Sequence, residues 1–256
     1  MADARLYVDA HGNGDVFLRD LVSGAERTLA GTGAREAYST ISPRGTSVMY
    51  GTVVGGELAT RPATLVSLAD GSSRRLCDDC RGRPRAWLDE RRVILERPGQ
   101  PPTLAVLDVE TNEQRTLLAG GVRGVANPRV NTDGRWIAFD AVTIPGRTQV
   151  YIARTDRVPI PESAWIKVAD EGVQPFWSFD GGVLYYLQGT ARLLARRIDP
   201  VDGVPQGAPF TAFAASEWTL PTWLPGSTPV ATPNTIVFVL ADVPGDVWLV
   251  HLEPDA

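Results

Sequence analysis

Residues Asn127–Asp140 read NPRVNTDGRWIAFD. An extended segment runs into Asn131-Thr132-Asp133-Gly134 and then into an apolar segment, Trp136–Ala141, patterned for a half-buried strand. Asp-Gly is a strong hairpin signal, because glycine takes φ > 0 without steric cost. The spacing predicts strand a at Val125–Val130, strand b at Trp136–Ala141, strand c at Gln149–Arg154 and strand d at Trp165–Val168.

The same order recurs in YSTISPRGTSVMYG (from Tyr38), RPRAWLDERRVILE (from Arg83) and QPFWSFDGGVLYYL (from Gln174). The four stretches are spaced at roughly 45 residues, the period of four-stranded propeller blades. A four-stranded sheet with two apolar faces cannot bury both alone. Packing sheets face to face around an axis buries them and leaves only short edges. The reading is an all-β chain, residues 1–256, forming one β-propeller domain with strands a to d counted outward from the axis.

The ends read as partial blades. Leu6–Ala10, Val16–Leu21 and Glu26–Leu29 fit strands b, c and d, while Thr235–Leu240 and Asp246–Leu252 fit b and c. The innermost C-terminal strand is either LPTWLPGS (from Leu220) or STPVATPN (from Ser227). Four full and two partial blades favour six blades. Five, with the two ends joined in one blade, is the alternative. In the second repeat WLDE lacks the turn glycine, which predicts a longer or strained hairpin there.

Composition is globular, with 43% hydrophobic and 21% charged residues. The 25 Gly and 20 Pro supply the turns that many short strands need. A net charge of −5, with no basic stripe, argues against nucleic-acid binding. No apolar run approaches the ~20 residues needed to span a bilayer, so the chain itself is not expected to insert in a membrane. MADARLYVDA lacks the basic start and apolar stretch of a signal peptide. Met1 nevertheless precedes a strand that reads as the middle of a blade, so the chain is expected to be cut from a longer protein.

Between strands a and b stand SPRG, NTDG and SFDG, and the c strands include YIARTD, VFLRDL and VWLVHLE. Together these resemble the WD40-like repeats of TolB-type β-propellers over nearly the whole chain. LCDDCRGRPRAW (from Leu76) and the ending IVFVLADVPGDVWLVHLE resemble propellers fused C-terminally to bacterial transmembrane serine/threonine kinases or winged-helix regulators. The resemblance implies a periplasmic or extracytoplasmic sensor or scaffold module, with no established site to carry over; the chain is expected to be a monomer and to need no cofactor.

Cys77 and Cys80 are the only cysteines. They fall in a blade-to-blade loop, away from the βαβ context a thioredoxin-like motif needs. A local disulfide, or capped thiols, is favoured over a zinc site built with Asp78 and Asp79. There is no G-x-S-x-G elbow, and His11 and His251 lie far apart in the partial blades, which argues against a Ser-His-Asp hydrolase. Glu36 and Asn127 could belong to a calcium site of the lactonase kind, but Arg83 and Arg85 oppose the acid charge such a site needs.

Tyr38, Arg83, Asn127 and Gln174 share one repeat position at the start of strand a. That position should face one mouth of the central channel. Four polar groups there suit a small anion, with Arg83 as the charge, or merely solvate the channel. Trp87, Trp136, Trp177 and Trp248 read as blade-interface core, whereas Trp218 and Trp223, in a Pro-rich loop, suit a partner contact. The function expected is non-enzymatic binding of a protein or small anionic ligand. A channel-centred enzyme, lactonase-like or the propeller of a prolyl-oligopeptidase-like hydrolase, is the alternative.

Overall fold

A computed structural model describes residues 4–8, 14–20, 23–53, 60–77, 80, 82–99, 101–119, 124–144, 146–215, 220, 229–233, 235–240 and 246–251. These residues are almost wholly β, and their only helix is a single 3-10 turn, Glu162–Ala164. Packing divides the chain into two compact units, Met1–Leu117 and Leu118–Ala256.

The first unit opens with β1 (Ala4–Val8), β2 (Val16–Asp20) and β3 (Glu26–Ala30), an antiparallel sheet in chain order. A four-stranded sheet follows, of β4 (Arg35–Ile41), β5 (Ser47–Val53), β6 (Thr60–Ser67) and β7 (Ser73–Cys77). Another has β8 (Arg83–Trp87), β9 (Arg92–Arg97), β10 (Thr103–Asp108) and β11 (Gln114–Thr116).

The second unit begins at β12 (Leu118–Ala119). Its first large sheet has β13 (Val125–Val130), β14 (Trp136–Ile144), β15 (Arg147–Arg154) and β17 (Ile166–Ala169). A short β16 (Ile160–Pro161) pairs in parallel with β12. Next come β18 (Val173–Trp177), β19 (Val183–Gln188), β20 (Arg192–Ile198) and β21 (Pro205–Ala214). Last are β22 (Val230–Ala231), β23 (Thr235–Leu240) and β24 (Asp246–His251). The strand beside β23 thus comes from STPVATPN, which settles the innermost C-terminal strand. Among the described residues, four sheets have four strands and two terminal sheets have three.

The middle strands carry the core. Val93–Glu96 of β9 and Trp136–Ala141 of β14 are buried residue after residue, which explains their near-continuous apolar runs. Within the first unit, Met49, Leu76, Trp87, Val93, Leu95 and Leu107 join the two four-stranded sheets. Within the second, Trp136, Val150, Ile152, Trp177 and Tyr186 do the same. Each large apolar side chain so buried stabilises by roughly 1.5–3 kcal/mol.

Three tryptophans expected at sheet interfaces are buried there, and each indole also donates across its interface. Trp87 Nε1 donates to Thr40 O at 3.3 Å, Trp177 Nε1 to Arg129 O at 3.1 Å and Trp136 Nε1 to Pro200 O at 3.2 Å. Trp136 also explains Gly203 (φ 76°), where a Cβ would lie 2.4 Å from the indole. The side chain of Trp248 lies outside the described residues, as do Trp218, Trp223 and His11.

Where the turn glycine is present, the a–b hairpins close alike. Gly45, Gly134 and Gly181 take φ of 68°, 76° and 74°. Ser42, Asn131 and Ser178 each bridge their turn, Asn131 Oδ1 accepting from Trp136 N at 3.0 Å and Ser178 Oγ from Val183 N at 2.9 Å. The second repeat corrects the sequence expectation: its hairpin is shorter, not longer. Trp87 pairs with Val93, whereas Trp177 pairs with Leu184, one residue further on. Asp89 takes over the bridging, accepting from Arg91 N at 2.9 Å and Arg92 N at 2.8 Å.

Candidate functional site

Strand a of every four-stranded sheet carries a β-bulge. The paired residues around it are Ala37↔Gly51 and Thr40↔Met49 in the first such sheet, Ala126↔Asp140 and Arg129↔Ala138 in the third, and Val173↔Leu187 and Phe176↔Tyr185 in the fourth. The residue that starts each bulge is Tyr38, Asn127 or Gln174, with φ of 57°, 51° and 51°. Left-handed backbone is uncommon outside glycine and persists only where surroundings hold it.

Arg83 does not share that place. It pairs with Glu96, the register of Ala37, Ala126 and Val173. The bulge-starting residue in β8 is Pro84, whose ring fixes φ near −65° and forbids the left-handed form. The shift here falls between Pro84 and Ala86 instead. The one-residue-shorter hairpin explains why the sequence aligned Arg83 with Tyr38, Asn127 and Gln174.

In the first unit the structure gathers Tyr38, Arg83, Arg85 and Glu96. Arg83 Nη1 lies 3.5 Å and Arg85 Nη2 3.0 Å from the same Glu96 Oε1. Both guanidiniums sit over the Tyr38 ring, at 4.9 Å and 5.4 Å from its centroid. Glu96 stands directly opposite Arg83, and Arg85, the residue in the bulge between Pro84 and Ala86, reaches the same carboxylate.

Close by in sequence, Glu36 is buried, only 1% exposed. Its Oε1 accepts from Thr32 Oγ1 at 2.5 Å, while its Oε2 has no hydrogen-bond partner among the described residues. Burial pushes the Tyr50 phenol up, a hydrogen bond with Thr64 opposes, and the nearby Glu36 carboxylate adds to the rise.

In the second unit Asp140 plays the organising part. Its Oδ2 accepts from Asn127 Nδ2 at 2.8 Å and from the Gln174 backbone N–H at 2.9 Å. One buried carboxylate therefore ties the left-handed residues of two successive inner strands. Gln174 is 5% exposed, its side chain turned into protein.

Cys77 and Cys80 are joined as a disulfide, with Cα atoms 5.4 Å apart. Cys80 is buried in the apolar cluster with Trp87 and Leu95, so the bridge ties the end of β7 to the crossover leading into β8. Among the described residues no three His, Cys, Asp or Glu side chains group as metal ligands, and no helix is long and apolar enough to cross a membrane.

Sequence reasoning set Arg85 beside Arg83 only as a charge opposing a calcium site, and missed Glu96 and Asp140 as members of these clusters. The one visible signal was an acid closing each apolar run, Glu96 after Val93–Leu95 and Asp140 after Trp136–Phe139.

No protein-family model and no curated protein matches the chain. Solved structures do. TolB from Acinetobacter baumannii superposes with a TM-score of 0.69 at 12% identity, covering 97% of this chain and 61% of that one. The chain thus spans under two thirds of that relative's length. A TolB from Agrobacterium tumefaciens gives 0.67 at 13% identity, covering 97% and 86%. An oligogalacturonate lyase in complex with manganese gives 0.55 at 14%, covering 96% and 84%. The fold is therefore that of the TolB-type β-propellers: the repeat spacing predicted propeller blades, and the resemblance of the turn and c-strand motifs implied the TolB type.

Proposed function

We propose that the protein is a non-enzymatic binding module that recognises a protein or small anionic ligand at the starts of its inner strands. The observation behind this reading is the pairing of Arg83 and Arg85 over the Tyr38 ring, both on one oxygen of Glu96. Guanidinium forks on a rigid strand suit oxyanions, and packed sheets hold them without ordering cost. Glu96 and Asp140 act as brackets here, holding side chains and backbone rather than reacting groups.

The disulfide supports an extracytoplasmic, periplasmic site of action, since such bonds persist in oxidising compartments. There the module works as a monomer within a larger bacterial protein. A heat-denaturation screen of the purified chain against anions tests the reading. At least one anion should raise the melting temperature, and Arg83→Ala should lose about 1.5–3 kcal/mol of that binding, the range for hydrogen bonds to charged groups. Equal binding by Arg83→Ala and wild type removes the site.

The lyase among the similar structures favours a second reading, a channel-centred enzyme. Glu36 would then be the carboxylate to watch. Manganese-dependent stabilisation lost in Glu36→Gln would replace the binding reading with this one.

A further inference from the structure

We infer that two neighbouring turns of the β18–β21 sheet form a docking surface for a partner protein, recognising a segment whose apolar side chains are flanked by lysine or arginine.

Among the described residues five large apolar side chains are exposed, and four of them, Phe179, Val201, Val204 and Phe210, belong to this one sheet. Scattered apolar residues on a surface are ordinary, but a concentration of them marks an interaction site. Phe179 lies in the β18–β19 turn, while Val201 and Val204 lie in the β20–β21 turn; they are 51%, 69% and 51% exposed. Strands β19 and β20 are paired, and Ile198 N–H donates to Gly182 O at 2.9 Å. The two turns therefore leave the same end of adjacent strands, side by side.

Both turns are fastened from behind. Phe179 O accepts from Thr132 Oγ1 at 2.7 Å, Pro200 O from Trp136 Nε1 at 3.2 Å and Val201 O from Arg154 Nη2 at 3.3 Å. Residues of the preceding sheet thus hold the turn backbones, while the Phe179 and Val201 side chains stay exposed. A surface ordered in advance loses little entropy on binding.

The sister sheets supply the chemistry of the partner. The β10–β11 and β20–β21 turns close alike, Asn112 N–H donating to Asp108 O and Gly203 N–H to Asp199 O, both at 2.9 Å. Val201 and Val204 therefore stand where the other turn has Glu110 and Glu113. Leu184 has the register of Val93 and Ile137, so Gly182 stands where those sheets have Arg91 and Arg135. These arginines neutralise acids of their own sheets: Arg91 Nε lies 2.6 Å from Asp108 Oδ2, and Arg135 Nε 2.7 Å from Asp133 Oδ2.

Glycine at 182 brings no such cation. Among the described residues Asp180 accepts only from Ser178 Oγ and Gly182 N–H. Asp199 accepts from the Val201 and Asp202 N–H groups and from Gln206 Nε2, and Asp202 from Val204 N–H. Arg154 is engaged with the Val201 carbonyl and, at 5.1 Å, with the Trp136 ring. Carboxylates with neutral donors thus alternate with exposed apolar side chains. A segment carrying apolar groups between cations complements both, whereas the negative charge opposes nucleic acid and anionic lipid.

The test is fluorescence anisotropy of the whole chain with a labelled peptide, Lys-Val-Lys-Val-Lys-Val-Lys. Controls replace every Val by Ser, or every Lys by Glu. Variants are G182R, F179T and the V201E/V204E pair, each first checked by thermal unfolding. The nearest atom that a Cβ at Gly182 would meet is Asp180 Oδ1, at 3.6 Å, so G182R places a cation beside that acid. Wild type should bind the Lys-Val peptide about tenfold more tightly than either control, and G182R and V201E/V204E should each lose about tenfold. If V201E/V204E does not fold, F179T takes its place.

Equal binding of the Lys-Ser peptide overturns the apolar half of the surface. Lys-Val binding unchanged in both G182R and V201E/V204E, or no binding by wild type, overturns the surface itself. Self-association of wild type that V201E/V204E abolishes replaces the partner protein with a second copy. Sedimentation with phosphatidylcholine–phosphatidylglycerol vesicles, abolished by the same pair, replaces it with a membrane. Anion binding at Arg83 is read separately, so either result can fail without the other.

Discussion

Glu96 and Asp140 stand at the same register of their sheets, opposite Arg83 and Ala126 respectively. Each is a buried carboxylate on strand b, and each fastens strand a by different chemistry. Glu96 takes two guanidiniums, whereas Asp140 takes a side-chain amide and a backbone N–H. The position is a structural socket for an acid, filled from whichever donors the neighbouring strands present.

Asp140→Ala should be among the most damaging single changes in the second unit. It leaves the Gln174 N–H and the Asn127 amide without their acceptor in a buried setting. A loss of about 2–4 kcal/mol is expected from two stranded donors. Asp140→Asn, which keeps one acceptor oxygen, should lose less. Denaturant unfolding compares the two, and equal losses would show that the charge rather than the acceptor matters.

The left-handed bulge makes an ordered prediction at Gln174. Gln174→Gly keeps the backbone N–H on Asp140 and relieves the strained backbone. Gln174→Ile keeps the bulk but places a β-branched residue at φ near 51°. The isoleucine variant should be less stable than the glycine variant by about 1–3 kcal/mol. A reversed order in thermal unfolding would mean that side-chain burial outweighs backbone strain here.

Glu36 offers a stabilising change. A buried carboxylate with one oxygen lacking a partner among the described residues opposes folding, and apolar replacement of such groups is often neutral or favourable. Glu36→Met should raise the melting temperature or leave it unchanged. A fall of more than about 1 kcal/mol in stability would show that the carboxylate holds something, and metal analysis of the wild-type protein should then identify it.

The disulfide should contribute modestly. Closing so short a loop removes only about 2 kcal/mol of unfolded-chain entropy. Reduction, or the Cys77→Ser/Cys80→Ser pair, should lower the melting temperature by several degrees. Anion binding at Arg83 and Arg85 should survive, and loss of both together would tie the crossover to the site.

Acid sensitivity should localise partly to the SFDG turn. Hydrogen bonds from Ser178 and then from the Gly182 N–H hold the Asp180 carboxyl below the ordinary carboxylate range. A depressed folded-state value stabilises the native state above the unfolded value, near 3.9, and that contribution disappears as pH falls through the folded value. Asp180→Asn should therefore flatten the fall in melting temperature below about pH 4. An unchanged slope would assign the acid response elsewhere.

The strands were legible because apolar runs and turn glycines report burial and φ > 0 directly. Predicted strand a at Val125–Val130 matches β13 residue for residue. Register was legible only where the turns kept equal length. At Arg83 a missing glycine removed one residue from the hairpin, and counting along the chain then placed Arg83 one position late. The bulge itself was invisible, because nothing in Tyr38, Asn127 or Gln174 shares a side-chain type that announces left-handed backbone. Cross-strand partners such as Glu96 and Asp140 need the register before they can be read at all.

The bulge also governs where this architecture is free to vary. At Tyr38, Asn127 and Gln174 the backbone admits few residue types without strain, so those places resist change whatever a ligand demands. The residues just before them, Ala37, Ala126 and Val173, have ordinary φ, so their backbone puts no such limit on the side chain, and the same register in β8 holds Arg83. New specificities in such a scaffold should therefore arise one residue ahead of the bulge, where a substitution alters the chemistry offered to a ligand and leaves the sheet undisturbed.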